Sequence, residues 1–454
     1  MKTSTLVFAE DTWSELTSVL EAQNEAAAVL VARPARSLDH LTLLVRKIVW
    51  VPEDDVLVRS SDGLEIRSHG YMRGLKAAVV DSSAAIFFHS HPGARSAQRS
   101  QRDHGVDSSL RELFQNRTGS DLYGSLVLAG AEGSPSFDLS VWDGTDLIGL
   151  TRIRVVGKRL RLFSRAAAPV ASADIFDRQI RMFGAAGQQM LSELRVGVVG
   201  AGGTGSAVFE QLVRLGIREI VVIDDDRLSR DNVSRVYGSG LADVGVPKVA
   251  IAAANAKRIG LGTNVTVIEG RVTEESVAGA LTQCDVIFGC TDDHAGRIVL
   301  SRLAYWYLAP VFDMGFLVWT DEAHVTGLFG RVTSMIPGEP CLICRRRIDL
   351  GMARAEVLLP EERERLRREG YVPGLDEPAA ALIPFTAAVA SLALNELLGR
   401  MIGYLSDGPG EVFMYFHDRQ LRRIQGHVVE GHFCGDRDAW GRGDETPRLG
   451  MTWP

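Results

Sequence analysis

Cysteine is scarce in this chain, five in 454 residues, too few to staple a protein of this size with disulfides. Positive charge is not in excess. The formal net charge is −7 and the pI is near 5.9, which speaks against nucleic acid as the main partner. The longest apolar run, residues 385–405, is broken by Asn395, Glu396 and Arg400 and reads as a packed helix rather than a membrane span. A basic segment followed by an apolar core is missing at the N-terminus, so no secretory signal is expected. There is no internal repeat. These absences point to a reducing, cytoplasmic setting.

The hydrophobic and charged fractions, 46% and 24%, are those of a globular protein, and the length exceeds one ordinary core. Two domains are therefore expected. Residues 1–163 mix a helix pattern (11–23) with strand-like runs at 28–32, 41–51, 56–59 and 84–88. A helix-compatible stretch at 107–116 and strands at 122–129, 137–142 and 148–156 follow, which predicts an α/β domain around one sheet. Residues 164–173, small and proline-containing, read as a linker. From 174 to 430 strands (194–199, 219–224, 264–269, 285–290) alternate with helices (203–215, 247–258, 274–281). That rhythm predicts a Rossmann-like, doubly wound parallel sheet, with residues 431–454 as a C-terminal tail. Residues 356–370, dense in charge, read as a solvated surface helix or lid.

Two stretches carry chemistry. The first is F-F-H-S-H-P-G-A-R-S-A-Q-R-S-Q-R-D at 87–103. Side chains two apart on a strand point the same way, so His89 and His91 can grip one metal ion. Asp103 would be the third ligand, leaving a position for water as catalytic zinc requires, and Ser100 would stabilise an oxyanion. A carboxylate outside the ligand set is still needed as general base. With its proline and S-x-x-D tail the segment resembles the JAMM (JAB or MPN) metalloproteases, which remove ubiquitin-like proteins. That resemblance implies a zinc isopeptidase or peptidase and gives the general-base role to Glu25, which opens E-A-A-A-V-L-V-A, with Glu21 as the fallback. The interval from His91 to Ser100 is one residue longer than the usual family spacing. His104 reads as a surface or supporting residue.

The second stretch is V-G-V-V-G-A-G-G-T-G at 196–205. Gly200, Gly202 and Gly205 lie between a strand and a helix, where backbone N–H groups can take phosphate. Asp224 ends the next strand, where a carboxylate can take ribose hydroxyls. So far an NAD-dependent dehydrogenase fits equally well. Asp224-Asp225-Asp226, the last also a candidate for the ATP site, is followed by Asn232, Arg235 and Lys248, an amide, a guanidinium and an ammonium that a triphosphate needs and a dinucleotide does not. Asp292 in C-T-D-D can hold magnesium at the sheet edge. These residues, with F-D-R-Q-I at 176–180, resemble the ubiquitin-activating enzymes and the ThiF-like sulfur-carrier adenylyltransferases. The resemblance implies that Asp224 binds ribose, that Asn232, Arg235 and Lys248 bind the phosphates of ATP, and that Asp292 coordinates Mg2+. It also implies that Arg178 reaches the γ-phosphate of a neighbouring subunit, hence a homodimer. Val236 stands where the family usually has glutamine.

G-E-P-Cys341-L-I-Cys344 resembles half of the family's structural zinc site. Cys434 offers a third ligand and His432 or His427 a fourth. Cys284 and Cys290, on or beside a strand, read as buried packing. No cysteine occurs from 345 to 433, so no thioester is expected, and a separate conjugating enzyme or sulfur acceptor would take the product. The resemblances imply adenylation of the C-terminal glycine of a ubiquitin-like protein, fused to a peptidase that trims or deconjugates it. The alternatives are activation of another carboxylate, such as a short peptide in a natural-product or sulfur-transfer pathway, and a non-catalytic scaffold for ubiquitin-like proteins.

Overall fold

The computed structural model describes residues 3–37, 40–60, 63–131, 134–164, 174–321, 324–369, 381–406, 408–443 and 449–451. Most of the expected linker lies outside them. The chain divides into two compact units, Met1–Ala167 with Trp440–Asp444, and Ala168–Ala439 with Glu445–Pro454. The segment expected as a separate tail thus belongs partly to each unit.

The first unit is built on strands β1 (Thr3–Ala9), β2 (Ala27–Ser37), β3 (His40–Trp50), β4 (Val56–Arg59), β5 (Leu64–Ile66), β6 (Ala84–His91), β7 (Leu122–Ala131), β8 (Ser134–Asp143), β9 (Asp146–Leu147), β10 (Leu150–Val156) and β11 (Leu160–Ser164). Nine of them form one mixed sheet in the order β11-β10-β1-β3-β2-β6-β7-β8-β9, and β4 pairs with β5 apart from it. Helices α1 (Glu10–Thr17), α2 (Met72–Val80) and α3 (Gln101–Thr118) complete the unit. The helix expected at 11–23 gives way to a 3-10 turn at Ser18–Glu21.

Alternation along β6 sorts its side chains between two cores. Ile86 and Phe88 join Trp13, Leu16 and Ile153 on one face; Phe87 joins Leu75, Phe114 and Tyr123 on the other. The same period puts His89 and His91 on the Phe87 face, and the Phe87 and His89 rings stack at 5.6 Å. β2 runs antiparallel to β6 with Ala27 opposite His89. Extending that register by two residues sets Glu25 across from His91.

In the second unit α4 (Asp177–Glu193) precedes β12 (Arg195–Val199), α5 (Gly203–Leu215), β13 (Glu219–Ile223), α6 (Lys248–Ile259), β14 (Asn264–Ile268), α7 (Glu275–Gly279), β15 (Val286–Gly289), α8 (His294–Trp306) and β16 (Val311–Asp321). There follow β17 (His324–Met335), α9 (Leu350–Glu356), α10 (Pro360–Arg368), α11 (Ile383–Ile402), β18 (Glu411–Tyr415) and β19 (Gln420–Arg423). Runs such as E-I-V-V-I in β13 are apolar on both faces, as a strand covered by helices on each side must be. The sheet order is β14-β13-β12-β15-β16-β17-β18-β19. Its first five strands are parallel and the rest antiparallel. Strand order reverses between β12 and β15, so the crevice for a ligand opens at their carboxyl ends. Helix α11 is long and apolar enough to cross a membrane by composition alone. Here Val389, Ala390, Ala393 and Leu397 are buried as it packs on α5, β16 and β17.

Charge is also buried here. Asp313 on β16 is fully enclosed and receives Nη2 of Arg331 at 2.5 Å and Nε of Arg297 at 3.3 Å. Removing one partner of such a pair strands the other's charge without solvent. Asp313→Ala is therefore expected to cost the second unit about 3–5 kcal/mol, read from denaturant unfolding; a change below about 1 kcal/mol would show that the arginines find other partners.

Candidate functional site

The cavity of about 1090 Å³ at the β12–β15 crevice is lined by Gly200, Gly202, Asp224, Asp226, Asn232, Arg235, Lys248 and Asp292. Glycine is required where β12 turns into α5. Gly200 has φ +92°, and a Cβ on Gly205 would lie 1.7 Å from the Gly200 carbonyl oxygen, so the helix start can approach the strand only without side chains. Gly202 is different: a Cβ there would meet nothing within 4 Å, being aimed at open space in the pocket.

Asp224 is fixed by backbone donors, Ala201 N–H to Oδ2 at 2.6 Å and Asp226 N–H to Oδ1 at 2.8 Å. Burial pushes its carboxyl up, with the Lys248 ammonium and those two N–H groups pulling against it. Lys248 opens α6, is buried, and donates from Nζ to Asp226 at 2.6 Å. Arg235 donates to the Asp231 carbonyl at 3.0 Å and Asn232 to the Asp231 carboxylate at 3.1 Å, so amide and guanidinium are held side by side. Val236 is buried against Leu228 and Ile251, where an amide would lack partners. Arg178 lies exposed on α4, outside the lining of this pocket.

Three further lining residues were not anticipated. Arg297 lies one turn into α8, held by Asp313. Glu356 of α9 accepts from the Ala295 N–H at 2.7 Å, and burial pushes its carboxyl up. Arg363 of α10 shows that the charge-dense stretch contributes to the pocket wall. Arg297 sits four residues past Asp293, the N-cap of α8, a spacing that a helix-start pattern could have flagged; the other two fall in the charge-dense stretch at 356–370, whose composition marks a surface helix or lid but no pocket role. Cys290 also lines the cavity, but burial pushes its thiol well above the usual range. Cys284 is fully buried.

Elsewhere in the second unit Cys341, Cys344, His432 and Cys434 converge, their donor atoms all within 4.8 Å of one another. Sγ of Cys341 is 3.5 Å from Nδ1 of His432, which is 3.3 Å from Sγ of Cys434. The Cys341 thiol, donating to it, holds Cys434 down at about 4. Three sulfurs and one imidazole at this spacing form a donor set that could bind zinc. His427 is exposed and is not part of the cluster.

In the first unit the ligand atoms of His89, His91 and Asp103 also lie within 4.8 Å of one another. The two Nε2 atoms are 3.2 Å apart, and Oδ1 of Asp103 is 3.5 Å from His89. Burial lowers His89 to about 4 and also lowers His91, which keeps the rings neutral, as ligands must be. Ser100 caps α3 and forms a capping box with Asp103: its hydroxyl accepts from the Asp103 N–H at 3.2 Å, and its N–H donates to Oδ2 at 2.7 Å. One box thus starts the helix and aims the other carboxylate oxygen at His89. Glu25, buried, stands 3.8 Å from Nε2 of His91. Glu21 and His104 are exposed.

The family model of the ThiF family matches residues 176–427, more than half of the chain and all the lining of the nucleotide pocket. The chain belongs to the ThiF family. The SAMP-activating enzyme E1 of Haloferax volcanii is 31% identical over 173 residues, 38% of this chain and 61% of its own length. The molybdopterin-synthase adenylyltransferase of Escherichia coli is 26% identical over 264 residues, 56% of this chain and 95% of its own. The chain thus spans about three fifths of the Haloferax relative and nearly all of the Escherichia coli one. Among solved structures, Escherichia coli MccB with AMPCPP and MccA aligns at 14% identity and a TM-score of 0.46, over 59% of this chain and 76% of that one. The histidine site lies before the ThiF segment.

The two glycine environments in the ThiF pocket separate binding from folding. Gly205→Ala is expected to lower both stability and ATP affinity, because its Cβ meets rigid backbone. Gly202→Ala is expected to leave stability within about 0.5 kcal/mol yet weaken ATP binding at least tenfold. Thermal unfolding and calorimetric titration with ATP check both; equal behaviour of the two variants would refute the distinction.

Proposed function

We propose that the ThiF domain adenylates the C-terminal carboxylate of a small ubiquitin-like protein. The observation that carries this reading is the joint placement of Asn232, Arg235, Lys248 and Asp292 around one cavity behind a glycine turn. Relatives whose names specify SAMP activation, molybdopterin-synthase adenylylation and, in Bacillus subtilis, adenylylation of the sulfur carrier protein ThiS support the substrate class. A carboxylate oxygen attacks the α-phosphorus, its bond to the β-bridging oxygen breaks, and pyrophosphate leaves with the acyl-adenylate as product. Asp224 accepts from the ribose hydroxyls. Lys248, Arg235 and Asn232 spread the charge that gathers on the transferring and leaving phosphates, and Lys248 must exchange Asp226 for phosphate to do so. Asp292 would hold magnesium, which would neutralise part of the triphosphate charge. Arg178, exposed on α4, is the residue a homodimer would offer to its neighbour.

Thiols held protonated by burial are poor nucleophiles; Cys290, the cysteine in the cavity lining, has its thiol pushed well above the usual range by burial, and Cys284 is buried outside the lining. The adenylate is therefore passed to a separate conjugating enzyme, sulfur donor or amine.

ATP–pyrophosphate exchange tests the reading. It is expected to depend on a folded, glycine-terminated β-grasp protein and to fall on the order of 10²-fold in Asp292→Ala. Exchange driven equally well by a short unfolded peptide would replace the substrate, and exchange unaffected by the substitution would remove the assigned role.

We further propose that the first unit is a zinc peptidase acting on the same class of protein. The convergence of His89, His91 and Asp103 opposite Glu25 supports it. Zinc held there would supply Lewis acidity that brings the pKa of water towards neutrality. Glu25 takes the proton from the attacking water and delivers it to the leaving amine, and Ser100 donates its hydroxyl hydrogen to the developing oxyanion. Glu25→Gln is expected to lower cleavage of a C-terminally extended partner by about 10²–10⁴-fold with zinc retained. Unchanged cleavage would move the base elsewhere.

A further inference from the structure

The interval from His91 to Ser100 is one residue longer than the spacing of the metalloproteases it resembles, and the contacts around Ser100 show what holds Asp103 at the histidines. Arg99, the residue before the cap, is the one ion in this loop drawn fully into the interior, its side chain 3% exposed. Its guanidinium ties together three elements. Nη1 is paired with the Asp107 carboxylate on α3. Nη2 donates to the Ser125 carbonyl on β7 at 2.7 Å and to the Asp138 carbonyl on β8 at 3.2 Å. Nε lies 3.4 Å from the Asp138 carboxylate. Asp107 is itself locked, receiving the Tyr123 hydroxyl at 3.0 Å on its other oxygen. A second tether upstream, Ala97 N–H to the Ser136 hydroxyl at 3.0 Å, fixes the approach but not the cap.

We infer that Arg99 is a positioning residue for the metal site. By clamping the first turns of α3 to β7 and β8, it sets the capping box at the distance from β6 where Asp103 can share a metal with His89 and His91. A planar guanidinium can satisfy two carboxylates and two carbonyls from one buried point; an ammonium cannot reach all of them. The clamp acts through Asp103 and touches neither metal nor substrate. This inference rests on the peptidase reading, because it assumes that a metal binds there.

The test is zinc affinity at this site in the full chain, measured by chelator competition, with His89→Ala subtracted to remove the contribution of the Cys/His cluster. Arg99→Gln is expected to weaken the His89-dependent zinc 10–100-fold, the loss usual when a group supporting a ligand is removed. Arg99→Lys keeps a positive charge between Asp107 and Asp138 and so disturbs folding less than the neutral variant, and about a tenfold weakening is expected. Cooperative unfolding of each variant is recorded alongside. A purely structural role would lower the unfolding midpoint and leave zinc affinity of the folded protein unchanged; that result, in Arg99→Lys alone or in both, overturns the inference. Wild-type protein with no His89-dependent zinc would overturn the peptidase reading itself, and the clamp with it.

Discussion

Asp313 takes two arginines into a place that water does not reach, and much of the second unit is organised around that fact. Its carboxylate joins Arg297 of α8, which borders the nucleotide cavity, to Arg331 of β17. Arg331 also lies 3.9 Å from Glu411 on β18, whose oxygens receive Arg347 at 3.1 and 2.9 Å. Burial pushes the Glu411 carboxyl up, but Arg347, Arg331 and Arg345 outweigh it and hold the group ionised. A charge in such a place is tolerated only when every partner is present. The chain of carboxylates and arginines therefore runs from the cavity rim, across the seam where the sheet turns antiparallel, to the loop of Cys341 and Cys344. Apolar packing alone would leave these strands free to settle in several ways; the ionic links require one.

Both sites are made at the carboxyl end of a strand, where a turn leads into a helix, and they use that geometry for opposite ends. Between β12 and α5 side chains are absent, which leaves backbone N–H groups open to an anion. Between β6 and α3 they are kept, and the helix cap is built from a carboxylate whose second oxygen remains for a cation. The first arrangement depends on the Cβ atoms that are missing. The second depends on the period of a strand, which places His89 and His91 together, and on the β2–β6 register, which brings Glu25 to the same edge.

What could be read in the sequence was what depends on short-range spacing. The alternation at His89 and His91, the S-x-x-D cap, the glycine turn and the C-x-x-C pair all express local geometry. Cys434 and His432 came within reach only through the resemblance to the family's zinc site, which left His427 equally open; the turn that brings His432 and Cys434 together is not a strand and has no such period. The start of α3 was read six residues late, since Ser100 and Asp103 suggested ligand chemistry and their capping role was overlooked; the structure shows both at once. β1 and the strands from β16 to β19 do not stand out in the sequence, because their pattern becomes evident only in register with distant partners, and α2 is a short helix of nine residues whose buried face is Gly74, Leu75 and Ala78. Asp313, Glu411 and Arg99 look like ordinary surface ions in sequence. Only long-range pairing tells a buried charge from a solvated one.

The placement of the five cysteines constrains the chemistry further. Three converge with His432, Cys284 is buried before the start of β15, and Cys290 borders the cavity with its thiol pushed well above the usual range by burial. On the function proposed above, an acyl-adenylate made there meets no activated thiol among the described residues and must survive until an acceptor arrives. Survival depends on excluding water, since the mixed anhydride hydrolyses readily once solvated. Glu356 and Arg363 then gain a significance beyond lining a cavity: they bring α9 and α10 to its wall. On the adenylation reading, these walls limit the water that reaches the adenylate.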